Sequence, residues 1–390
     1  MSKFIFYFLF YFDAYFCFIL LFASNTKLIY TRGDITIFAY RNQSYLFLIL
    51  FLFLFFFSLK LTAWGLPLER LPGWAQDHQS ESIPALLQSC LKEDLPKNFC
   101  TKLNKYPNLS DAQMRKLLST YFIAEPILPN QHRPSGLFTG YYAPSISGSL
   151  TESKNYPIPI YGRPQNLVSL EIHHHVFYKI KKNGHYLTPP SRAEIIHEEP
   201  LSNTPIIAWA HSRVDRFFLQ IQGSGVIRLT HGKNLFLGYA GQNGQKYYPI
   251  GAHLLAIGAL NQSDISMQSI KHWLDTHPSQ AQSVMDLNPS FVFFRKMPIE
   301  GFMGAHGTEL TPERSLAVDP KFNSLGTPLW LVTTLPSGKS FDQLMVAQDT
   351  GGAIKGRVRG DIFFGMGEQA ESLAGHMQAP GLLWNLVPKI

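Results

Sequence analysis

The stretch Gln348–Gly365 holds the densest set of residues that could do chemistry. Asp349 and Asp361 lie on either side of a glycine-rich turn, with three basic residues between them. Ile362-Phe363-Phe364 follows Asp361 directly, and apolar surface raises the pKa of a carboxyl group, which can then act as a general acid near neutral pH. Asp349 opens the turn, where an aspartate commonly bonds backbone amides. From the residues alone structural roles are favoured, and acid catalysis by Asp361 is the functional alternative.

A second candidate is the turn Gln222-Gly223-Ser224-Gly225. It lacks the GxSxG pattern of a nucleophile elbow, and no strand-turn-helix is expected around it. We therefore interpret it as a tight glycine turn that presents the Gln222 side chain and the Ser224 hydroxyl to sugar hydroxyls. Asp319 precedes Pro320 and is interpreted as a turn former, or equally as a support for the site.

The run His173-His174-His175 suggests a metal site, but its geometry argues against one. Adjacent residues on a strand point to opposite faces, so the three imidazoles cannot all reach one ion. The chain also has no GxxxxGK[ST] loop and no GxGxxG motif that opens a helix. We therefore expect no metal and no cofactor.

The elements that must position these residues are mostly short strands. From Gly136 onward, turn residues alternate with β-branched and aromatic runs, a pattern typical of β-barrels or β-sandwiches. A helix is predicted after the capping-box pair Ser110 and Gln113, helical spacing returns over 267–285, and residues 66–80 are predicted to form a linker. The predicted strands include residues 157–161, 217–222, 291–294, 329–332 and 361–364.

Composition divides the chain into two parts. Of its 30 Phe, 15 fall within the first 60 residues, and all but one of these lie in the apolar runs Phe4–Phe22 and Tyr45–Phe57. Residues 64–390 keep 29 basic and 25 acidic residues and form an ordinary, mildly basic body. This pattern excludes a disordered chain, a collagen-like repeat and a many-helix transporter. The second run has the length of a signal-peptide core, so we predict export, with the N-terminus either a signal peptide behind an extension or an uncleaved membrane anchor.

The body contains two cysteines, Cys90 and Cys100. In an oxidising compartment they could form a disulfide. Two reduced, buried cysteines are an equal alternative, and neither residue has the spacing of a zinc ligand.

Several short motifs follow one another in a fixed order from about Phe138 to the end of the chain. They are Phe138-Thr139-Gly140-Tyr141-Tyr142, Tyr156-Pro157-Ile158 with Tyr161, Ser191-Arg192-Ala193-Glu194-Ile195, Gln222-Gly223-Ser224-Gly225, Gly238-Tyr239-Ala240-Gly241-Gln242-Asn243-Gly244, Ser266-Met267-Gln268, Asn288-Pro289-Ser290-Phe291-Val292-Phe293-Phe294 and Asp349-Thr350-Gly351-Gly352-Ala353-Ile354-Lys355-Gly356. In this order they resemble the membrane-bound lytic murein transglycosylase A family.

The resemblance implies a mainly β fold with a few short helices. It consists of a double-psi β-barrel with a second β-rich domain inserted, and a glycan cleft between the two. On this sequence, the resemblance implies an apolar segment at 1–65, a barrel at 66–144 plus 289–390, and an insertion at 145–288.

The resemblance also implies an activity and a site. The family cleaves the β-1,4 bond between N-acetylmuramic acid and N-acetylglucosamine without water, leaving a 1,6-anhydro end. Asp361 matches the catalytic aspartate, which acts first as acid and then as base, and Asp349 matches its supporting aspartate. Lys355, if near Asp361, would lower the pKa of that acid. The implied glycan-binding residues are Thr139, Tyr141, Gln222, Ser224 and Lys355.

The implied partners are peptidoglycan glycan strands, with cell-wall synthesis or division complexes as further candidates and no nucleic acid. The implied location is the periplasm, with membrane contact only through the N-terminal segment. The lipid-modified Cys of well-known family members has no counterpart after the apolar run. Three alternatives stay open: a non-catalytic cell-wall glycan-binding module, a membrane-anchored structural protein, and a hydrolytic muramidase with Asp349 or Asp319 as a second catalytic carboxylate.

Overall fold

The structure, a computed structural model, describes residues 65–129, 135–172, 175–198, 204–298 and 301–389. The two N-terminal apolar runs, and His173 and His174 of the histidine run, lie outside the described residues. Among the helices of the described residues, none is long and apolar enough to cross a bilayer.

The helices of the described residues are short, and two 3-10 turns precede them at Leu68–Arg70 and Gln79–Ser82. The α-helices are α1 (Ile83–Leu91), α2 (Lys97–Lys105), α3 (Asp111–Tyr121), α4 (Arg192–His197), α5 (Arg213–Gln222), α6 (Ile250–Ala256), α7 (Met267–Thr276), α8 (Pro278–Asp286) and α9 (Glu368–His376).

The strands outnumber the helices, which confirms the predicted mainly β class. They are β1 (Phe122–Ile127), β2 (Gly136–Ala143), β3 (Ser145–Ser149), β4 (Ile158–Tyr161), β5 (Leu167–Ile172), β6 (His175–Lys182), β7 (His185–Leu187), β8 (Ile206–Ala210), β9 (Gly225–Leu229), β10 (Asn234–Gln242), β11 (Val292–Lys296), β12 (Ser315–Val318), β13 (Pro328–Thr334), β14 (Ser340–Asp349), β15 (Arg359–Met366) and β16 (Gln378–Pro388).

Six of these strands close into a ring, which we call the first barrel. Their order is β2-β15-β12-β14-β13-β16, and β16 pairs back with β2, while β1 lies outside the ring on β16. The pairs β2–β15 and β12–β14 are parallel and the other pairs are antiparallel. Closure removes the free sheet edges and gives the strands a common interior. Phe138, Leu316, Leu331, Ile362 and Leu383 fill that interior.

A second sheet is inserted between β2 and β12, in the order β11-β10-β9-β3-β8-β4. A single bridge, between Phe294 on β11 and Gly162 directly after β4, brings the two ends of this sheet together, so the sheet is nearly closed. We call it the inserted barrel. Because β11 pairs with β10, we propose that the insertion extends from residue 145 to about residue 297 rather than ending at 288.

The prediction of a linker over residues 66–80 is wrong. Leu68, Leu71 and Trp74 are buried in a cluster with α1–α3, and the Trp74 ring lies 4.9 Å from that of Trp330 on β13. The segment contains enough apolar side chains to cover one side of the first barrel, which outweighs its Pro and Gly content. In the same region Cys90 on α1 and Cys100 on α2 form a disulfide.

The prediction of a strand over residues 217–222 is also wrong, because these residues end helix α5. The Ser212 hydroxyl caps this helix by accepting hydrogen bonds from the Val214 and Asp215 amides, and Gly223 ends it with φ of +80°. Val214, Phe217 and Phe218 share one helical face and enter a helical core with α6–α8. The spacing of the buried residues therefore prevailed over the β propensity of the aromatic run.

Other predicted elements are confirmed. Ser110 and Gln113 form the capping box of α3, and helical structure occurs over 267–285 as α7 and α8. The predicted strands at 157–161, 291–294, 329–332 and 361–364 correspond to β4, β11, β13 and β15.

Candidate active site

The outer face of the first barrel carries Asp361 where the inserted barrel covers it. Asp361 on β15 lies opposite Thr139 on the parallel strand β2 and opposite Ala317 on β12. Since side chains alternate along a strand, Tyr141 and Phe363 share this face with them. We call this region the junction, because residues of the inserted barrel pack there.

A row of aromatic rings fixes the junction. Phe236 on β10 lies 5.9 Å from Phe302, Phe302 lies 5.9 Å from Phe363, and Phe363 lies 5.2 Å from Tyr141. Val226 belongs to the same cluster. Aromatic contacts of this kind are worth about 0.5–1.5 kcal/mol each beyond their burial. These contacts fix the inserted barrel against the first barrel next to Asp361.

Asp361 is a half-buried carboxyl group with a cation, Arg359, beside it. The Thr139 hydroxyl donates to its Oδ1 at 2.5 Å, and Arg359 Nη2 donates to the same hydroxyl at 2.9 Å. Burial raises the pKa of Asp361, while the Arg359 charge and the Thr139 hydrogen bond oppose that rise. The pKa of Asp361 is therefore raised, as the apolar residues after it predict. The cation that opposes this rise is Arg359, whereas the sequence had suggested Lys355.

Asp349, at the end of β14, has partners at both of its oxygens. Oδ1 accepts hydrogen bonds from the amides of Ala305 and Thr350 at 2.8 and 2.9 Å, and Oδ2 accepts the Tyr141 hydroxyl at 2.8 Å. Burial raises its pKa, these hydrogen bonds oppose the rise, and the charge of Asp361 adds to it. Burial and the Asp349 charge hold the pKa of Tyr141 well above its usual range, so its phenol stays a donor.

The turn over residues 304–308 that supplies the Ala305 amide is held from two sides. His306 Nε2 lies 3.0 Å from Asp94 Oδ2, in the loop between α1 and α2. The His306 amide donates to the Gln348 carbonyl at 3.1 Å. The disulfide between Cys90 and Cys100 spans the Asp94 loop, so a covalent link supports the contact that positions Asp349.

The glycine-rich loop between β14 and β15 is held by Asp319. Its Oδ2 accepts the Gly356 amide at 2.8 Å, where Gly356 has φ of +116°, and its Oδ1 accepts the Lys321 amide at 3.3 Å. Asp319 thus supports the loop next to the site. Lys355 is exposed on this loop, and its predicted role in glycan binding stays a prediction.

Gln222 and Ser224 lie where helix α5 meets the first barrel. The Gln222 Oε1 atom accepts the Tyr142 amide at 3.1 Å, and its Nε2 lies 3.6 Å from the Met267 sulfur. Ser224 is buried directly after the left-handed Gly223. The structure thus places the Gln222 side chain against the backbone of β2, the strand that carries Thr139. Glycan binding by Gln222 and Ser224 stays a prediction.

Sequence reasoning missed Arg359 as the charged neighbour of Asp361, and it missed Tyr247. Tyr247 lies in the loop between β10 and α6, where burial and the charge of Asp361 raise the pKa of its phenol. This loop is pinned by Asn288, whose Oδ1 accepts the Tyr248 amide at 3.1 Å, and by the buried Asn243. Both asparagines occur in the ordered motifs, a signal that could have directed attention to the loop between them. Over the described ranges, no group of three or more His, Cys, Asp or Glu could hold a metal ion.

Comparisons with known proteins agree with this architecture. Residues 137–295 match the family described as MltA specific insert domain, and residues 314–387 match the 3D domain. Membrane-bound lytic murein transglycosylase A of Escherichia coli strain K12 is 37% identical over 257 residues, covering 64% of this chain and 65% of that protein. The match therefore spans just under two thirds of the length of that relative.

Solved structures extend the likeness over most of the body. The membrane-bound lytic murein transglycosylase from Agrobacterium tumefaciens is 30% identical, with a TM-score of 0.73 over 83% of this chain and 97% of that chain. E. coli MltA with bound chitohexaose is 28% identical, with a TM-score of 0.62 over 84% of this chain and 92% of that chain.

The fold and the site define a two-barrel protein with a half-buried carboxyl acid where the barrels meet. The chain belongs to the membrane-bound lytic murein transglycosylase A family.

Proposed function

We propose that the protein is a lytic transglycosylase of peptidoglycan. It cleaves the β-1,4 bond between N-acetylmuramic acid and N-acetylglucosamine and leaves a 1,6-anhydro-N-acetylmuramic acid end. The observation that carries the proposal is Asp361, whose pKa is raised by burial and which lies at the junction beside Thr139 and Arg359. The relative solved with bound chitohexaose supports a glycan as the ligand.

The proposed reaction uses one carboxyl group twice. Protonated Asp361 donates its proton to the glycosidic oxygen, the bond from C1 to that oxygen breaks, and positive charge develops at C1. The carboxylate then accepts the proton of the C6 hydroxyl as O6 bonds to C1, which restores the acid. Because the nucleophile belongs to the same sugar, its high effective molarity takes the place of a second catalytic carboxylate.

The hydrogen bonds of Asp349 favour this reaction over hydrolysis. A hydrolase of the usual type needs a second carboxylate that attacks C1 or activates a water molecule. Both oxygens of Asp349 already accept hydrogen bonds from Ala305, Thr350 and Tyr141. We therefore assign Asp349 to supporting the site and fixing Tyr141, with its negative charge favouring the cationic transition state.

Product analysis tests the proposal. The full chain in detergent is incubated with purified sacculi, and the soluble products are analysed by mass spectrometry before and after borohydride reduction. We expect anhydro-muropeptides, which lack a reducing end and are 18 Da lighter than the hydrolytic products, because one water molecule is not added. Reducing ends in the products would indicate a muramidase, and intact sacculi that retain the protein would indicate a binding module.

The pH dependence of the reaction is predicted to respond to Arg359. Since the acid must start protonated, activity falls as pH rises through the pKa of Asp361, and Arg359 lowers that pKa. Arg359→Gln removes the opposing charge and should move the basic limb of the kcat/KM profile to higher pH, by about one pH unit. Arg357→Gln is the matched control, because Arg357 lies two residues earlier, is exposed on the loop before β15 and stacks on Phe322. A basic limb that stays in place or moves to lower pH would contradict the assignment.

We further propose that the protein acts in the cell envelope, on the periplasmic side, with residues 1–65 as its signal or anchor. The membrane-bound relatives support an envelope location. Glycan strands of peptidoglycan are the proposed partner, and cell-wall synthesis or division complexes are candidate recruiters. The mild positive charge of the body suits an anionic wall polymer.

A further inference from the structure

A groove on the inserted barrel lies outside the site described above. It encloses about 610 Å³ and is lined by residues of β8, β10 and β11, by the two residues that follow β4 and by Pro205 before β8. Its apolar wall includes Ile206, Ile207 and Phe294, and its polar lining consists of Arg163, Arg295 and Lys296. No carboxylate lines it among the described residues, so its lining carries three positive charges and no negative one.

These cations differ in how they are held. Arg163 is fixed, because its Nη2 donates to the Leu167 carbonyl at 2.9 Å and its Nη1 to the Ala240 carbonyl at 3.0 Å. Arg295 and Lys296 are exposed, and their side chains make no hydrogen bond or ion pair within the described ranges. A fixed guanidinium and two free cations lie around an apolar wall. This lining favours a ligand that has carboxylate groups and also small apolar groups.

The backbone of β11 adds a second feature. One edge of β11 pairs with β10, whereas the other makes a single bridge, between Phe294 and Gly162, among the described residues. At Arg295 and Lys296 that outer edge therefore has no strand partner in the described chain. An extended peptide can add to such an edge through main-chain hydrogen bonds, with pockets for alternate side chains.

From these features we infer that the groove beside β11 binds an acidic peptide in an extended conformation. Arg295 and Lys296 are adjacent on the strand and point to opposite faces, so each pairs with a peptide carboxylate on its own face. The inference deepens the proposed function and rests on it only for the source of the peptide. Peptidoglycan carries short stem peptides with free carboxylates, so the groove would bind a stem while the glycan reaches Asp361. Glycan chains stripped of their stems would lack this contact.

The first test measures peptide binding without turnover. The full chain in detergent is titrated into a fluorescein-labelled peptide, Ala-Ala-Glu-Glu-Ala with a free C-terminus, and fluorescence anisotropy is recorded at low salt. The two adjacent glutamates of an extended peptide point to opposite faces, as Arg295 and Lys296 do. The control peptide has Gln for Glu and an amidated C-terminus. We expect the acidic peptide to bind, the control peptide to bind at least about tenfold more weakly, and added salt to weaken binding. Equal binding of both peptides, or binding of neither, would overturn the inference.

Variants then locate the site. Arg295→Gln with Lys296→Gln should raise the Kd at least about fivefold, and Lys296→Glu alone should raise it similarly, because an exposed side chain can be reversed in charge without disturbing the core. Arg228→Gln, an exposed cation on β9 of the same sheet, is the matched control and should leave the Kd unchanged. An unchanged Kd in both groove variants would overturn the inference. An inactive enzyme that still binds the acidic peptide would count against the proposed function alone.

Discussion

Asp361→Asn is expected to lower kcat for the release of anhydro-muropeptides by at least about 10³-fold, since the variant loses both the acid and the base of the proposed reaction. General acid–base groups contribute typically about 10² to 10⁴ in rate. Asparagine cannot donate a proton to the leaving oxygen or accept one from the C6 hydroxyl. The loss should appear in kcat and kcat/KM together, because the proton transfers occur only in the transition state.

The fold should tolerate this substitution. Asparagine has the shape of aspartate, and its amide oxygen can accept the Thr139 hydroxyl as Oδ1 does in the parent protein. Burial of the Asp361 carboxylate is unfavourable, as its raised pKa indicates, and the uncharged amide of asparagine does not carry this cost. We therefore expect an unchanged or higher melting temperature, and binding of glycan oligomers close to that of the parent protein.

The control for this experiment is Glu125→Gln, the same change of carboxylate to amide at an exposed position on β1, which lies beside the first barrel. It should leave kcat and the melting temperature unchanged. Asp349→Asn is a useful companion, because it keeps the shape of a supporting group and removes its charge. If Asp361→Asn retained full activity while Asp349→Asn lost it, the assignment of the acid would be wrong.

Much of this site could be predicted because its elements are local in sequence. Asp361 precedes a short run of β-branched and aromatic residues that predicts strand β15, and a carboxyl group next to such a run has few ways to stay fully hydrated. The glycine-rich loop and the turn after Gln222 were visible for the same reason, since the glycines of each lie close together in the sequence.

The parts that escaped prediction depend on contacts between residues far apart in sequence. His306 meets Asp94 only because the fold brings the loop between α1 and α2 against the turn that holds Asp349. Tyr247 approaches Asp361 from the inserted barrel, and no spacing in the sequence links the two. The strand predicted over residues 217–222 failed for a related reason. A six-residue segment with four aromatic and aliphatic residues suits either a strand or the end of a helix until its packing partners are known.

Breaking the buried ion pair between Arg314 and Asp77 should cause the largest loss of stability of any single substitution that we propose. Arg314 is 2% exposed and Asp77 is 6% exposed, and their Nη1 and Oδ1 atoms are 2.8 Å apart. Arg314 Nη2 also donates to Glu81 and to the His78 carbonyl. Arg314→Met leaves the Asp77 carboxylate buried without its cation, which typically costs about 3–5 kcal/mol in the free energy of unfolding.

The pH dependence of this loss has a definite sign. Burial raises the pKa of Asp77 even in the parent protein, where Arg314 opposes the rise. Without Arg314 the folded-state pKa rises further above the unfolded value. A protonated Asp77 relieves the cost, so Arg314→Met should be least destabilising below the usual pKa of an aspartate and more destabilising as pH rises through the raised folded-state value.

Urea denaturation of the parent and variant proteins at pH 5 and pH 8 measures these free energies. Lys271→Met is the matched control, because it breaks the more exposed pair with Asp215 and should cost at most about 1 kcal/mol. The double variant Asp77→Asn with Arg314→Met removes the stranded charge and should recover much of the stability lost by Arg314→Met alone. If the double variant were as unstable as the single variant at both pH values, the loss would lie in the packing and backbone hydrogen bonds of Arg314. The segment before α1 would then be held to the first barrel by the shape of the arginine side chain rather than by its charge.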